Sequence, residues 1–128
     1  MAQLFGTFVV AVCGLFFLLT AWRSALAPTA FAARLGLGIA DAGGINEIRA
    51  QYAGFFFAAA VVCGAALGGL IAQHNALVMI AVIFGGLIGG RLASLAIDRS
   101  VAGYSVTIRA LLVIDAIGFA LAVAALAV

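Results

Sequence analysis

Ionisable and hydrogen-bonding side chains interrupt the apolar segments of this chain. An ionised side chain inside a membrane is costly unless it is paired or reaches water, so such residues are candidates for function by default. We call this set the polar cluster: Glu47, Arg49, Tyr52, Arg91, Ser94, Asp98 and Asp115. Such a cluster is suited either to holding a small molecule or an ion, or to fixing helix positions through ion pairs.

The first polar group opens the second apolar segment. Asn46 is a suitable N-cap, and Glu47 complements the positive N-terminal end of a helix. Arg49 and Tyr52 suit the level of the lipid headgroups. A helix cap explains much of this group, but its side chains occupy two helix faces, which is more polar placement than a cap requires.

The second polar group lies on the third and fourth apolar segments. Arg91, Ser94 and Asp98 have spacings of three, four and seven residues, which place them on one helix stripe. Asp115 lies at a depth close to that of Arg91. We therefore predict an Arg91–Asp115 ion pair, with Glu47 as the competing partner and an outward turn of Arg91 toward Asp98 as the alternative.

Catalytic and metal-binding patterns are missing from the sequence. It contains no HExxH motif, no phosphate-binding loop, no Cys/His cluster and no evident nucleophile–base pair. We therefore predict no enzymatic activity, no metal and no cofactor. Cys13 and Cys63 lie at similar depth, but free buried cysteines that act as small hydrophobic residues are more common than a disulfide there. His74 stands alone in a predicted turn.

The composition indicates that the segments carrying these residues lie in a lipid bilayer. Hydrophobic residues form 68% of the 128-residue chain and charged residues 8%, whereas soluble domains carry about 25% charged residues. The mean hydropathy is +1.38. We predict one integral membrane domain over residues 1–128, surrounded by the lipid bilayer. The net charge of +2 gives no indication of a nucleic-acid partner.

Four apolar stretches are long enough to cross a bilayer as helices. They cover residues 4–21, 48–72, 76–97 and 106–128. Their continuous apolar character argues against the alternating pattern of a β-barrel. The predicted fold is an all-α four-transmembrane-helix bundle, with a short interfacial segment that begins at Pro28 between helices one and two. The first stretch lacks the basic start of a signal peptide, although Ala25-Leu26-Ala27 resembles a cleavage site.

Arginine placement predicts the orientation. The chain has no lysine, and its six arginines all lie in or near the first and third connections. The positive-inside rule puts those connections in the cytoplasm and both termini outside it. The absence of lysine, together with abundant alanine and glycine, suggests a bacterial source and therefore the inner membrane.

Glycines at four-residue spacing predict close helix packing, because small residues let helix backbones approach each other in lipid. The candidates are Gly64 with Gly68, Gly85 with Gly89, and Gly86 with Gly90. We expect them to pack helices two and three within the bundle, or alternatively to contact another protein chain.

Two stretches resemble a family of small bacterial membrane proteins of unknown function. Residues 46–54 are similar to its N-E-x-R-A-x-Y-x-G stretch, and residues 90–98 to its G-R-x-x-x-x-x-x-D stretch. The family resembles the broader DoxX-like group of four-helix bundles. The resemblance implies a four-helix bundle. It also implies that five members of the polar cluster match the family's own polar residues: Glu47, Arg49, Tyr52, Arg91 and Asp98. It implies no reaction, and Asp115 lies outside both stretches.

These observations favour a non-enzymatic interaction or accessory module of the inner membrane. Its partner would be a second copy of the chain, in a homo-oligomer, or a larger membrane complex. The alternative is a binder of a small molecule, such as a lipid headgroup, a quinone or an ion, at the polar cluster near the cytoplasmic leaflet.

Overall fold

The computed structural model describes residues 1–99 and 104–128, except for the side chain of Asp98. Within these ranges the chain is all-α. The helices are α1 (Ala2–Leu26), α2 (Pro28–Arg34), α3 (Ala42–Ile48), α4 (Phe55–Leu67), α5 (Gln73–Asp98) and α6 (Val106–Leu126). A π-helical segment, Arg49–Gly54, joins α3 to α4 without a break.

Four helical stretches are long and apolar enough to span a membrane, which confirms the predicted four-helix bundle. They are Ala2–Leu26, Ala42–Leu67, Gln73–Ile97 and Val106–Leu126. The first is the central element, because 39% of its most apolar 18-residue stretch is buried inside the bundle, whereas the corresponding share is 17–22% in the other three. It packs against α4, α5 and α6, while α5 packs most extensively against α6. The large side chains that remain exposed are mostly apolar, as a lipid-facing surface requires.

The second span begins and ends earlier than predicted. Asp41, not Asn46, is its N-cap, and the Asp41 carboxylate accepts a hydrogen bond of 2.9 Å from the Gly44 N–H. Asn46 therefore lies inside α3. A side-chain acceptor at the first position where the chain turns helical stabilises the free N–H groups there, so the helix begins five residues before the expected cap.

The end of α4 follows from a glycine in the left-handed region. Gly69 has a φ of 74°, and the N–H of Leu70 donates to the carbonyl of Ala65 at 2.8 Å. This is the Schellman arrangement that ends helices after a glycine. The predicted continuation to residue 72 is therefore wrong, and the turn expected at Gln73-His74-Asn75 is instead the first turn of α5.

The interfacial segment between the first two spans begins at Pro28, as predicted, because proline suits the first helical position. The helix ends at Arg34. Gly36, at a φ of 78°, ends α2 by the same hydrogen-bond arrangement, with the Leu37 N–H donating to Ala32. Ile39 consequently lies outside any helix.

Glycines pack the bundle, but not as the pairs that were predicted. A Cβ on Gly118 of α6 would lie 2.5–2.8 Å from the ring of Phe84, and one on Gly85 would lie 3.1 Å from the ring of Phe119. In each of these two helices, therefore, a glycine is covered by a phenylalanine of the other helix. On α1, Gly14 plays this part for Cys63 of α4, at 2.8 Å.

The predicted packing of helices two and three on paired glycines is wrong. A Cβ added to Gly64, Gly86, Gly89 or Gly90 would meet no atom of the described residues within 4 Å. At Gly68 it would meet only carbonyl oxygens of its own helix. Gly85 is a genuine packing residue, but its contact is with α6. The spacing of glycines indicates where another helix can pack closely. Which helix packs there depends on the phenylalanine that contacts the glycine.

We expect the Gly118→Ala variant to be less stable by about 1–3 kcal/mol, because an added methyl group would overlap the ring of Phe84 in a close-packed core. The matched control is Gly89→Ala, on the open surface of α5, where the substitution should be neutral or slightly stabilising through helix propensity. Thermal unfolding of both variants in one detergent tests this. Equal melting temperatures would contradict the packing described here.

Candidate functional site

Arg91 and Asp115 form the ion pair predicted from their depth. The Nε–H of Arg91 donates to a carboxylate oxygen of Asp115 at 2.8 Å. The side chain of Asp115 is 2% exposed and that of Arg91 is 25% exposed. Glu47, the competing partner, is exposed. The outward pairing of Arg91 with Asp98 concerns a side chain that lies outside the described residues.

Helix packing sets this ion pair. Phe84 precedes Arg91 by two turns of α5, and Gly118 follows Asp115 by one turn of α6, so each pair shares a helix stripe. The contact between Phe84 and Gly118 therefore fixes the register in which Arg91 meets Asp115. Helical side chains point back toward the N-terminus of their helix, which for Arg91 is the direction of the bilayer interior.

A cleft lies beside the ion pair. It consists of two adjoining cavities of about 820 and 590 Å³, which share a wall formed by Leu35, Tyr52, Leu87, Arg91 and Ile108. Asp115 lines the larger cavity, and Ser94 and Tyr104 line the smaller one. A cavity of this size, mostly apolar with a few converging polar groups, has the character of a small-molecule site.

The π-helical segment contributes Tyr52 to the aromatic part of the cleft wall. The Tyr52 ring lies edge-on to Phe31 of α2, with centroids 5.1 Å apart, and stacks on Phe56 of α4 at 6.4 Å. π-helical turns in membrane and soluble helices often occur at functional sites. Here the segment joins the interfacial helix α2 to the core of the bundle through one side chain.

Arg49 has a structural role outside the cleft. Its Nε–H donates to the carbonyl oxygen of Ala25 at 3.2 Å, at the C-terminal end of α1. A cation at this end satisfies a free carbonyl and complements the helix dipole. Arg49 therefore ties the π-helical segment to α1. Glu47 and Asn46 are exposed in α3 and do not line either cavity.

Ser94 lies close to Tyr104 at the mouth of the smaller cavity. Their hydroxyl oxygens are 3.4 Å apart, and Ser105, the next residue, caps α6 by accepting a hydrogen bond from the Ile108 N–H. These contacts attach the end of the third connection to α5. The structure thus brings together Tyr52, Arg91, Ser94 and Asp115 of the predicted cluster around one cleft.

Several residues of the cleft were not among the predicted site residues. Thr20, Arg23, Arg34 and Gln51 line the larger cavity. A sequence signal existed for α1, since Phe16, Thr20 and Arg23 recur at helical spacing on one face. The hydroxyl of Thr20, however, donates to the carbonyl of Phe16 in the same helix, so its hydrogen is already used within α1. Arg34 and Gln51 also follow helical spacing, with Phe31 three residues before the first and Phe55 four residues after the second.

Metal and disulfide chemistry find no support in the described part of the chain. No group of three His, Cys, Asp or Glu side chains lies there in a position to hold a metal ion. Cys13 and Cys63 are both free and buried in the core. The described lining of the cleft offers guanidinium groups, the Asp115 carboxylate, the Gln51 amide, hydroxyl groups and aromatic rings.

Comparison of the chain with protein-family models, curated proteins and solved structures finds no significant match. The resemblance to the DoxX-like group stays a prediction.

We expect Arg91→Met and Asp115→Leu, made singly, each to destabilise the protein by about 3 kcal/mol, because each leaves one buried charge without its partner. The double variant should recover much of this loss, since no charge then remains unpaired. Thermal unfolding in detergent measures all three. A double variant whose loss of stability equals the sum of the two single losses would mean that the two side chains act independently.

Proposed function

We propose that this four-helix membrane protein binds a small, membrane-dissolved molecule in the cleft beside Arg91 and Asp115. The observation that carries the proposal is the coincidence of a buried ion pair with an open cavity of about 820 Å³. A purely structural ion pair is expected to be sealed by close packing, because contact with neighbouring groups replaces the water that the charges have lost. Here the pair forms part of a cavity wall.

The exposed glycines of α5 support this proposal. Gly86 and Gly90 line the smaller cavity, and a Cβ at either would meet no described atom within 4 Å. Two positions without side chains next to Arg91 leave space on the face of α5 that a ligand can occupy. This accounts for glycines that do not pack helices together.

We expect Ile108→Trp to weaken or remove binding, because Ile108 lies in the wall that both cavities share and the larger ring would obstruct them. Val113→Trp is the matched control, since Val113 is a β-branched residue of the same helix that is 58% exposed and lines neither cavity. Native mass spectrometry of protein extracted from its own membrane in mild detergent measures any small mass that remains attached.

The result expected is a retained small molecule on the parent chain and on Val113→Trp, and its loss from Ile108→Trp. If Ile108→Trp does not fold, Leu111→Trp replaces it, because Leu111 also lines the larger cavity, and Val113→Trp again serves as the control. A ligand mass that stays on both cavity variants, or a parent chain that carries none, would contradict the proposal.

The second candidate function is an accessory module that associates with a second copy of the chain. The observation that favours it is the exposure of Gly64 on α4 and Gly89 on α5, which have open space around them and lie outside both cavities. Glycine faces of this kind allow helices of two chains to approach closely in lipid. In the same mass spectra, a dimer of the parent chain that dissociates in Gly89→Phe would support this function.

We propose the bacterial inner membrane as the location, with the first and third connections in the cytoplasm and both termini outside. The supporting observation is the six-to-none distribution of arginines between the two sides.

Cysteine labelling tests this orientation. An impermeant maleimide should label His74→Cys in intact cells but should label Gly38→Cys only after permeabilisation. The parent chain is the control, because Cys13 and Cys63 are buried. The reverse labelling pattern would place the termini in the cytoplasm.

A further inference from the structure

The larger cavity is strongly asymmetric in charge. Its lining contains Arg23, Arg34 and Arg91, and Asp115 is the only acid among the described lining residues. Asp115 is already paired with Arg91. Arg23 and Arg34 therefore add two positive charges to the cavity without any acidic residue of the described lining to balance them.

The positive charges lie at one end of the cavity. Arg23 belongs to the last turn of α1, and Arg34 ends α2, the interfacial helix. Phe16, which also lines the cavity, lies about 10 Å deeper along α1 at about 1.5 Å per residue. On α6, Thr107 lies near the helix start and Ile114 two turns deeper. The cavity thus passes from a cationic headgroup level to an apolar interior.

The apolar part of the cavity opens sideways between α1 and α6. Leu19 and Ile114 line it, and they are 46% and 39% exposed, so the cavity is open to the outer surface of the bundle beside them. In a bilayer that outer surface faces lipid tails. A molecule with an apolar chain can therefore enter from the membrane without crossing water.

We propose that the ligand of the cleft is an anionic amphiphile, a molecule with a carboxylate or phosphate headgroup on an apolar chain. Its oxyanion meets Arg23 and Arg34, because the N–H groups of a guanidinium can donate in pairs to the oxygens of a carboxylate or a phosphate. Its chain lies between α1 and α6 along Phe16, Leu19 and Ile114. This inference rests on the proposed function and names the ligand class of the same cleft.

The test compares two probes of equal chain length, oleate and oleyl alcohol, on the full chain in a neutral detergent. Binding is measured by isothermal titration calorimetry. Oleate should bind at least tenfold more tightly, since only it offers an oxyanion to the arginines. Arg34→Gln should weaken oleate binding by about tenfold, the effect of losing one charge-assisted hydrogen bond, and should leave oleyl alcohol unchanged.

Arg109→Gln is the matched control, because Arg109 is exposed on α6 at the same side of the membrane and does not line the cavity. It should bind oleate like the parent chain. Native mass spectrometry from nanodiscs of phosphatidylglycerol mixed with phosphatidylcholine separates the two sources of the headgroup. Retained phosphatidylglycerol identifies a phospholipid ligand, whereas added oleate that displaces it identifies a free fatty acid.

The outcomes distinguish the ligand class from the existence of a binding site in the cleft. Equal binding of oleate and oleyl alcohol, lost in Ile108→Trp, would overturn the anionic class and keep the cleft as a binding site. Equal weakening by Arg34→Gln and Arg109→Gln would also overturn it, because a general surface charge would then suffice. No binding of either probe, together with no small molecule on the extracted protein, would contradict the proposed function itself.

Discussion

A carboxylate in the middle of a membrane helix must keep a cation beside it, and much of this bundle can be understood from that constraint. Asp115 is buried about 14 Å along α6 from Val106, at about 1.5 Å per residue, and only Arg91 pairs with it in the described structure. Two helices that carry opposite charges at matching depth cannot slide past each other without separating them. The reciprocal seating of Phe84 on Gly118 and Phe119 on Gly85 holds the same register with apolar contacts.

The central position of α1 determines where space remains. Phe17 of α1 stacks against Phe84 of α5 and lies beside Phe56 of α4, with ring centroids 5.5 and 5.6 Å apart. These rings fill the middle of the bundle. Toward the arginine-rich side, Gly86 and Gly90 of α5 bring no side chain into the gap. The cleft therefore lies beside the aromatic packing, and Phe56 lines it as well.

The spans and the Arg91–Asp115 pair could be predicted because both depend on position along a helix, which the sequence gives directly. The helix ends were predictable in part: Asp41 and Gly69 carry recognised cap signals, but Asn46 offered an equally good cap, and only the contacts of the folded chain choose between them. The π-helical segment has no periodic signature, since its extra width depends on tertiary contacts such as that of Arg49 with Ala25. The shape of the cleft was not predictable, because it depends on how several helices pack and not on the residue types along one helix.

The π-helical segment also bears on how this chain tolerates changes in length. A π-helical turn accommodates about one residue more than an α-helical turn, so deletion of one residue within Arg49–Gly54 would leave an unbroken α-helix. The helical parts on either side would keep nearly their present rotation about the helix axis, because the wide turn is what accommodates the extra residue. A deletion elsewhere in a span would shift buried side chains on at least one side into lipid. The segment is therefore the place where the second span can lose one residue and still keep the packing of α4 on α1.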